Sequence, residues 1–161
     1  TIFSNECLGL EIQKKMDDAH KNKVRELLKT YGLAGFADSR PSELSGGMRQ
    51  RAALIRTLAL EPELMLLDEP FSALDYQTRL TVCDDISSII RERNKTAVLI
   101  THDLSEAVSV ADRILVLSER PGRIKSIHSI HFPELADSPL KRRNCPRFSA
   151  YFNEIWNSLR K

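Results

Sequence analysis

The chain has 161 residues, 42% of them hydrophobic and 29% charged, which is the profile of one globular domain of ordinary size. At that length roughly 70% of the surface exposed by the unfolded chain can be buried, which excludes a mini-protein held together by disulfide or metal staples. Lys plus Arg total 24 against 22 for Asp plus Glu, a net charge of +2, so no global field draws the chain to nucleic acid or to an anionic membrane. Cys7, Cys83 and Cys145 are odd in number and far apart, so they suggest neither a disulfide framework nor a thiolate zinc site, and fit a reducing cytosol. The longest apolar stretches, residues 64–67 and 114–117, fall far short of the ~20 residues that cross a bilayer. The opening residues, Thr1-Ile2-Phe3-Ser4-Asn5, have neither the basic nor the apolar region of a secretory signal and no methionine, so the beginning reads as cut.

In residues 17–31 the apolar Val24, Leu27, Leu28 and Tyr31 recur at helical spacing among charges, and Gly32 stands where a C-terminal cap belongs, which predicts a surface helix. A loop with Gly35, Asp38, Ser39 and Pro41 leads to Leu44-Ser45-Gly46-Gly47-Met48-Arg49-Gln50-Arg51 and then to a helix-favouring run over residues 52–60, with Ser45 a natural N-cap. Pro62 stops that helix, and the four apolar residues 64–67 follow without alternation, the pattern of a strand covered on both faces in a parallel α/β sheet. Asp68-Glu69-Pro70 comes next, at the strand end where open α/β sheets place their ligands. A second helix is expected over residues 76–93, with Leu80, Cys83, Ile86 and Ile90 on one stripe, and then another covered strand, 97–100, ending in Thr101-His102-Asp103. Residues 104–111 read as a short helix, and 114–117 and 124–130 as two strands joined at Arg120-Pro121-Gly122-Arg123 in a hairpin. Residues 133–146 form a basic, Pro-containing linker to a last helix carrying Phe148, Tyr151, Phe152, Ile155, Trp156 and Leu159 on one face.

Ser45-Gly46-Gly47 at a helix start offers a hydroxyl and free backbone N–H groups beside the ~+0.5 charge end of the helix dipole, which suits a phosphate; alone, such a triplet is more often a plain cap with a glycine turn. Asp68 and Glu69 are consecutive at a strand end, so they project in different directions and can take different roles. Asp75 stands as an N-cap before Tyr76. His102 closes the next strand, and a lone histidine there is structural unless its neighbours say otherwise. His128 and His131, three apart within one strand, face opposite sides and make no metal pair.

Taken together, Leu44-Ser45-Gly46-Gly47-Met48-Arg49-Gln50, Leu64-Met65-Leu66-Leu67-Asp68-Glu69-Pro70, Ser72-Ala73-Leu74-Asp75 and His102 resemble the ATPase domain of ABC transporters. They match its signature motif, Walker B strand, D-loop and switch histidine in order and spacing, and the resemblance runs over residues 5–123. It implies an α/β fold: a partial P-loop NTPase (RecA-like) parallel sheet without its P-loop strand, the ABC helical subdomain and a C-terminal helix. The implied division is a helical subdomain with the signature (1–61), the remainder of the RecA-like core (62–132), and a C-terminal linker with an amphipathic helix (133–161). By the same resemblance Ser45, Gly46 and Gly47 contact the γ-phosphate of ATP held by the opposite subunit, and Asp75 couples the two sites. Asp68 holds Mg²⁺ through its water shell, Glu69 is the general base, and His102 bonds the γ-phosphate.

The implied function is that of the ATP-hydrolysing subunit of a membrane importer, with ATP and Mg²⁺ as cofactors. Its implied partners are a second ATPase subunit, membrane permease subunits and, indirectly, a solute-binding protein, with no nucleic acid, at the cytoplasmic face of the cell membrane. Residues 118–124 and the tail at Phe152-Asn153-Glu154-Ile155-Trp156 look like the nitrate, sulfonate and taurine importer group. The alternative is a soluble ABC-type ATPase acting on nucleic acid or ribosomes, whose long coiled-coil insertions find no heptad run here. Gly9, Gly32, Gly35, Gly46, Gly47 and Gly122 begin no G-x-x-x-x-G-K-[ST] loop. The chain is therefore expected to be the back portion of a longer subunit, inactive alone. The family places the P-loop strand between the switch-histidine strand and the strand at 114–117. Unpaired edges are expected there, to be resolved by pairing with another copy or by rearrangement.

Overall fold

Short polar side chains open the helices. In the computed structural model, which describes residues 1–133 and 135–160, Asp17 accepts from the His20 amide to start α2 (Asp18–Thr30), and Ser45 accepts from Met48 to start α3 (Gly46–Ala59). Asp75 accepts from Thr78 at the head of α4 (Tyr76–Glu92), and Asp103 from Ser105 and Glu106 at the head of α5 (Leu104–Val110). Each such cap contributes about 1 kcal/mol. At the far end of α2, Gly32 takes φ +73°, and the amides of Gly32 and Leu33 turn back onto the carbonyls of Lys29 and Leu28. Glycine reaches that left-handed conformation without strain.

Two helices were not foreseen. Residues Ile2–Ile12 form α1; Ile2, Phe3, Leu8, Leu10 and Ile12 spread around it instead of making one stripe, so no period marks it, and packing of Ile2, Cys7 and Leu10 into the core fixes it. Within the expected linker, Pro139–Arg143 forms α6, opened by Ser138. Its Arg142 donates from Nη1 to the carbonyls of Ser109, Val110 and Ala111, closing the C-terminus of α5, and its guanidinium lies 5.3 Å from the Phe132 ring centroid.

Strands β1 (Leu64–Asp68) and β2 (Thr96–Ile100) pair in parallel, from Leu64 opposite Thr96 to Asp68 opposite Ile100. Strands β3 (Arg113–Leu117) and β4 (Ile124–Ser129) make the expected antiparallel hairpin, with an irregularity between Val116 and Leu117. Among the described residues the two pairs remain separate two-stranded sheets, so the expected rearrangement does not close the gap by joining β2 to β3. One core lies under α1, α2, α3, α4 and the inner face of β1 and β2, around Leu28, Ile55, Met65 and Phe71. A second gathers Val108, Ile114, Val116, Ile130 and Ile155 between α5, the hairpin and α7 (Pro146–Arg160).

The expectation that 64–67 and 97–100 are covered on both faces is not met within this chain. Met65 is fully buried, but Leu64, Leu66, Val98 and Ile100 on the other face are exposed, Leu66 at 72%. A non-alternating apolar strand is written for two covered faces, and the helices here cover one. The hairpin behaves likewise: Leu115, Leu117, Ile124 and Ile127 are exposed. On α7, Ile155 is buried while Trp156 and Leu159 stand half-exposed.

Candidate functional site

The parallel pairing of β1 and β2 brings two polar strand ends side by side. Asp68 is the last residue of β1, with its carboxylate exposed. Glu69, the next residue, takes φ +46° and its amide donates to the Ile100 carbonyl at 2.9 Å. A left-handed conformation costs a non-glycine residue on the order of 1–3 kcal/mol, and here it turns the chain so that Glu69 reaches across to the end of β2. Glu69 Oε1 accepts from the His102 amide at 3.0 Å and lies 2.7 Å from His102 Nδ1. The imidazole is 80% exposed, and the hydrogen bond to Glu69, reinforced by the charge of that carboxylate, raises its pKa above the usual histidine value.

A second group forms where α3 and α4 begin. Ser45 caps α3, leaving the amides of Gly46 and Gly47 among the orphan donors of the first turn. A Cβ on Gly46 would lie 3.0 Å from Leu74 Cδ2, and one on Gly47 would lie 2.9 Å from Val82 Cγ2 and 3.1 Å from Thr78 Cγ2. The glycines thus let the head of α3 rest on the head of α4, a packing reason that phosphate approach alone does not supply. Asp75 sits at that junction; hydrogen bonds from the Thr78 side chain and amide hold its exposed carboxyl below the usual range.

The structure brings Asp68, Glu69 and His102 together at the strand ends, and Ser45, Gly46, Gly47 and Asp75 together at the helix starts. Between them lies a charged cluster that the sequence reading missed: Arg79 reaches the Leu74 carbonyl, Asp103 and Glu106. The one signal for it is spacing, since Arg79 stands one helical turn beyond the Asp75 cap. His128 bonds Glu154 and Ser126 at 2.8 and 2.9 Å and ties α7 to β4. His131 falls beyond the end of β4, so the opposite-face reasoning applied to the pair does not hold for it. Among the described residues no three His, Cys, Asp or Glu side chains converge as a metal cage. Exposed Asp68 fits a hard cation that keeps most of its waters, not one enclosed by protein.

Helices packed on a parallel strand pair, with an acid pair and a histidine at the strand tips, place the chain in the P-loop NTPase class of α/β folds. A solved structure of an inward-facing metal-chelate type ABC transporter is similar at TM-score 0.71 and 25% identity, over 80% of this chain and 52% of that one. The ABC transporter family model matches residues 1–72. The ABC transporter ATP-binding protein YtlC of Bacillus subtilis is 45% identical over 99% of this chain and 61% of its own length. Taurine import ATP-binding protein TauB of Burkholderia thailandensis is 40% identical over 92% of this chain and 58% of its own. Aliphatic sulfonates import ATP-binding protein SsuB of Bacillus licheniformis is 45% identical over 87% and 54%. The chain is thus similar along most of its length to ABC transporter ATP-binding proteins, and it spans 54–61% of the length of these three relatives. Among the described residues no helix is long and apolar enough to cross a membrane.

Proposed function

We propose that the chain is the signature-bearing part of the ATP-hydrolysing subunit of an ABC importer for taurine-, sulfonate- or nitrate-type anions. The observation that carries this reading is the Glu69–His102 pair at the adjoining tips of β1 and β2, on a chain whose relatives include taurine and sulfonate import ATP-binding proteins. Residues 1–61 serve as the helical subdomain, 62–132 as the rest of the nucleotide-binding core, and 133–161 as a C-terminal linker and helix.

Mg-ATP, when bound, supplies the scissile phosphoanhydride and the cation that neutralises its phosphates. Asp68 would hold that cation through its waters. Glu69, with Oε1 engaged by His102, keeps Oε2 to accept a proton from a water, general-base assistance that contributes roughly 10²- to 10⁴-fold in rate. His102 presents an exposed imidazole to a terminal phosphate, and Ser45 with the Gly46 and Gly47 amides presents a helix start to the phosphate held by a second subunit, next to Asp75. The partners on this reading are that second ATPase subunit, permease subunits at the cytoplasmic face of the membrane and, through them, a solute-binding protein. On this reading, cover for the exposed faces of both sheets comes from the part of the relatives' length that this chain does not span.

The test joins the preceding segment of a relative such as SsuB to this chain and measures Mg-dependent ATP hydrolysis for the parent and Glu69→Gln. Turnover should fall at least a hundredfold in the variant with ATP still bound; equal turnover overturns the assignment of the base. This chain alone should bind Mg-ATP weakly and not hydrolyse it, and tight stoichiometric binding by calorimetry would contradict that part.

A further inference from the structure

Arg79 occupies the first turn of α4, and its planar fork points two ways. Nη2 donates to the Leu74 carbonyl at 3.0 Å, one residue before Asp75. Nη1 donates to Asp103 Oδ2 at 3.3 Å and lies 3.7 Å from Glu106 Oε1. Glu106 is 2% exposed and its Oε2 accepts from the Thr101 hydroxyl at 2.8 Å, while Thr101 Oγ1 accepts from the Asp103 amide at 3.0 Å. The two residues flanking His102 therefore both belong to the network that Arg79 completes. Burial raises the Glu106 pKa, and the Thr101 hydrogen bond and the Arg79 charge oppose that rise. Arg79 Nε is buried without a hydrogen-bond partner among the described residues, so the side chain is oriented by what Nη1 and Nη2 reach.

We propose that Arg79 is a positioning residue that ties the Asp75 loop to the His102 loop, so that a displacement of either is felt at the other. The proposal rests on the reading of those two loops as parts of the ATP site, and it adds the residue that links them. A lysine cannot replace it, because one ammonium offers a point charge where the guanidinium spans two acceptors. The alternative is an arginine that merely pins α4 to α5. That role predicts lost stability with no transmission between the loops.

Transmission is read on this chain by amide NMR without nucleotide, so a failure of the ATPase reading leaves the result intact. Asp103→Asn keeps the helix cap and weakens the contact to Arg79. It should shift the Leu74 and Asp75 amides as well as those of Thr101 and His102, and in an Arg79→Met background the shifts at Leu74 and Asp75 should vanish. Arg79→Lys should restore one loop and not both. Arg93→Met, which removes an arginine contact at the opposite end of α4, from Arg93 Nε to the Tyr31 hydroxyl, should move neither loop. If Arg79→Met fails to fold, Asp103→Asn alone decides: unmoved Leu74 and Asp75 amides in a folded chain overturn the proposal. In the hydrolysing assembly, Arg79→Lys should lower kcat about tenfold with KM for ATP within twofold. A parent without hydrolysis would count against the function proposed above, and the amide shifts would still decide the coupling.

Discussion

Glu6 makes the interface between α1 and α3 sensitive to pH. It is 2% exposed, its Oε2 has no hydrogen-bond partner among the described residues, and with Asn5, Arg49 and Arg56 it lines a cavity of about 180 Å³. Burial pushes its carboxyl up to about 8, against the pull of the Arg56 charge. The folded chain therefore holds a proton at Glu6 that the unfolded chain releases near 4.5. Stability from this group is complete below that ordinary value and is lost as pH rises toward about 8. At roughly 1.4 kcal/mol for each pH unit climbed, the loss by pH 7 is on the order of 3 kcal/mol. For a chain of this length that corresponds to roughly ten degrees of Tm. Glu6→Gln keeps the shape and removes the ionisation, although its amide must be buried without a ready acceptor. Thermal unfolding followed by circular dichroism from pH 5 to 8 should show the parent losing Tm relative to the variant across that interval. Parallel curves for the two proteins would refute the buried, protonated carboxyl.

Three further outcomes follow from contacts already described. Gly47→Ala places a methyl against Val82 and Thr78 and should destabilise the chain by about 1–3 kcal/mol in urea unfolding; an unchanged midpoint would show that the heads of α3 and α4 can part freely. Arg142→Met removes the donor shared by the carbonyls of Ser109, Val110 and Ala111. It should lower stability by roughly 2–3 kcal/mol and speed hydrogen exchange at the last turn of α5, and unaltered exchange there would contradict its capping role. Glu69→Gln should return His102 toward the ordinary histidine value near 6.5 in an NMR titration. The stabilisation from that pair is complete below the ordinary value and lost as pH rises through the raised one, so a His102 titration identical in parent and variant would disprove the pairing.

What could be read from the sequence was local. Ser45 and Asp75 cap helices because their side chains reach amides three residues on, and Gly32 ends α2 because a left-handed turn favours glycine. The acid pair and the histidine stand out because each follows a short run of consecutive apolar residues, a pattern carried by neighbours in the chain. Tertiary structure decided the rest. Helix α1 exists because α3 covers it. The open faces of the sheets depend on which helices are present to cover them, and a non-alternating apolar strand records only that cover is required. Glu69 meets His102 across 33 residues and Arg79 meets Asp103 across 24. Those approaches follow from the parallel register of β1 with β2 and from the packing of α4 beside α5. Capping and periodicity act over one or two turns of chain, whereas contacts between distant residues are selected by the burial of whole faces, which no short stretch of sequence contains.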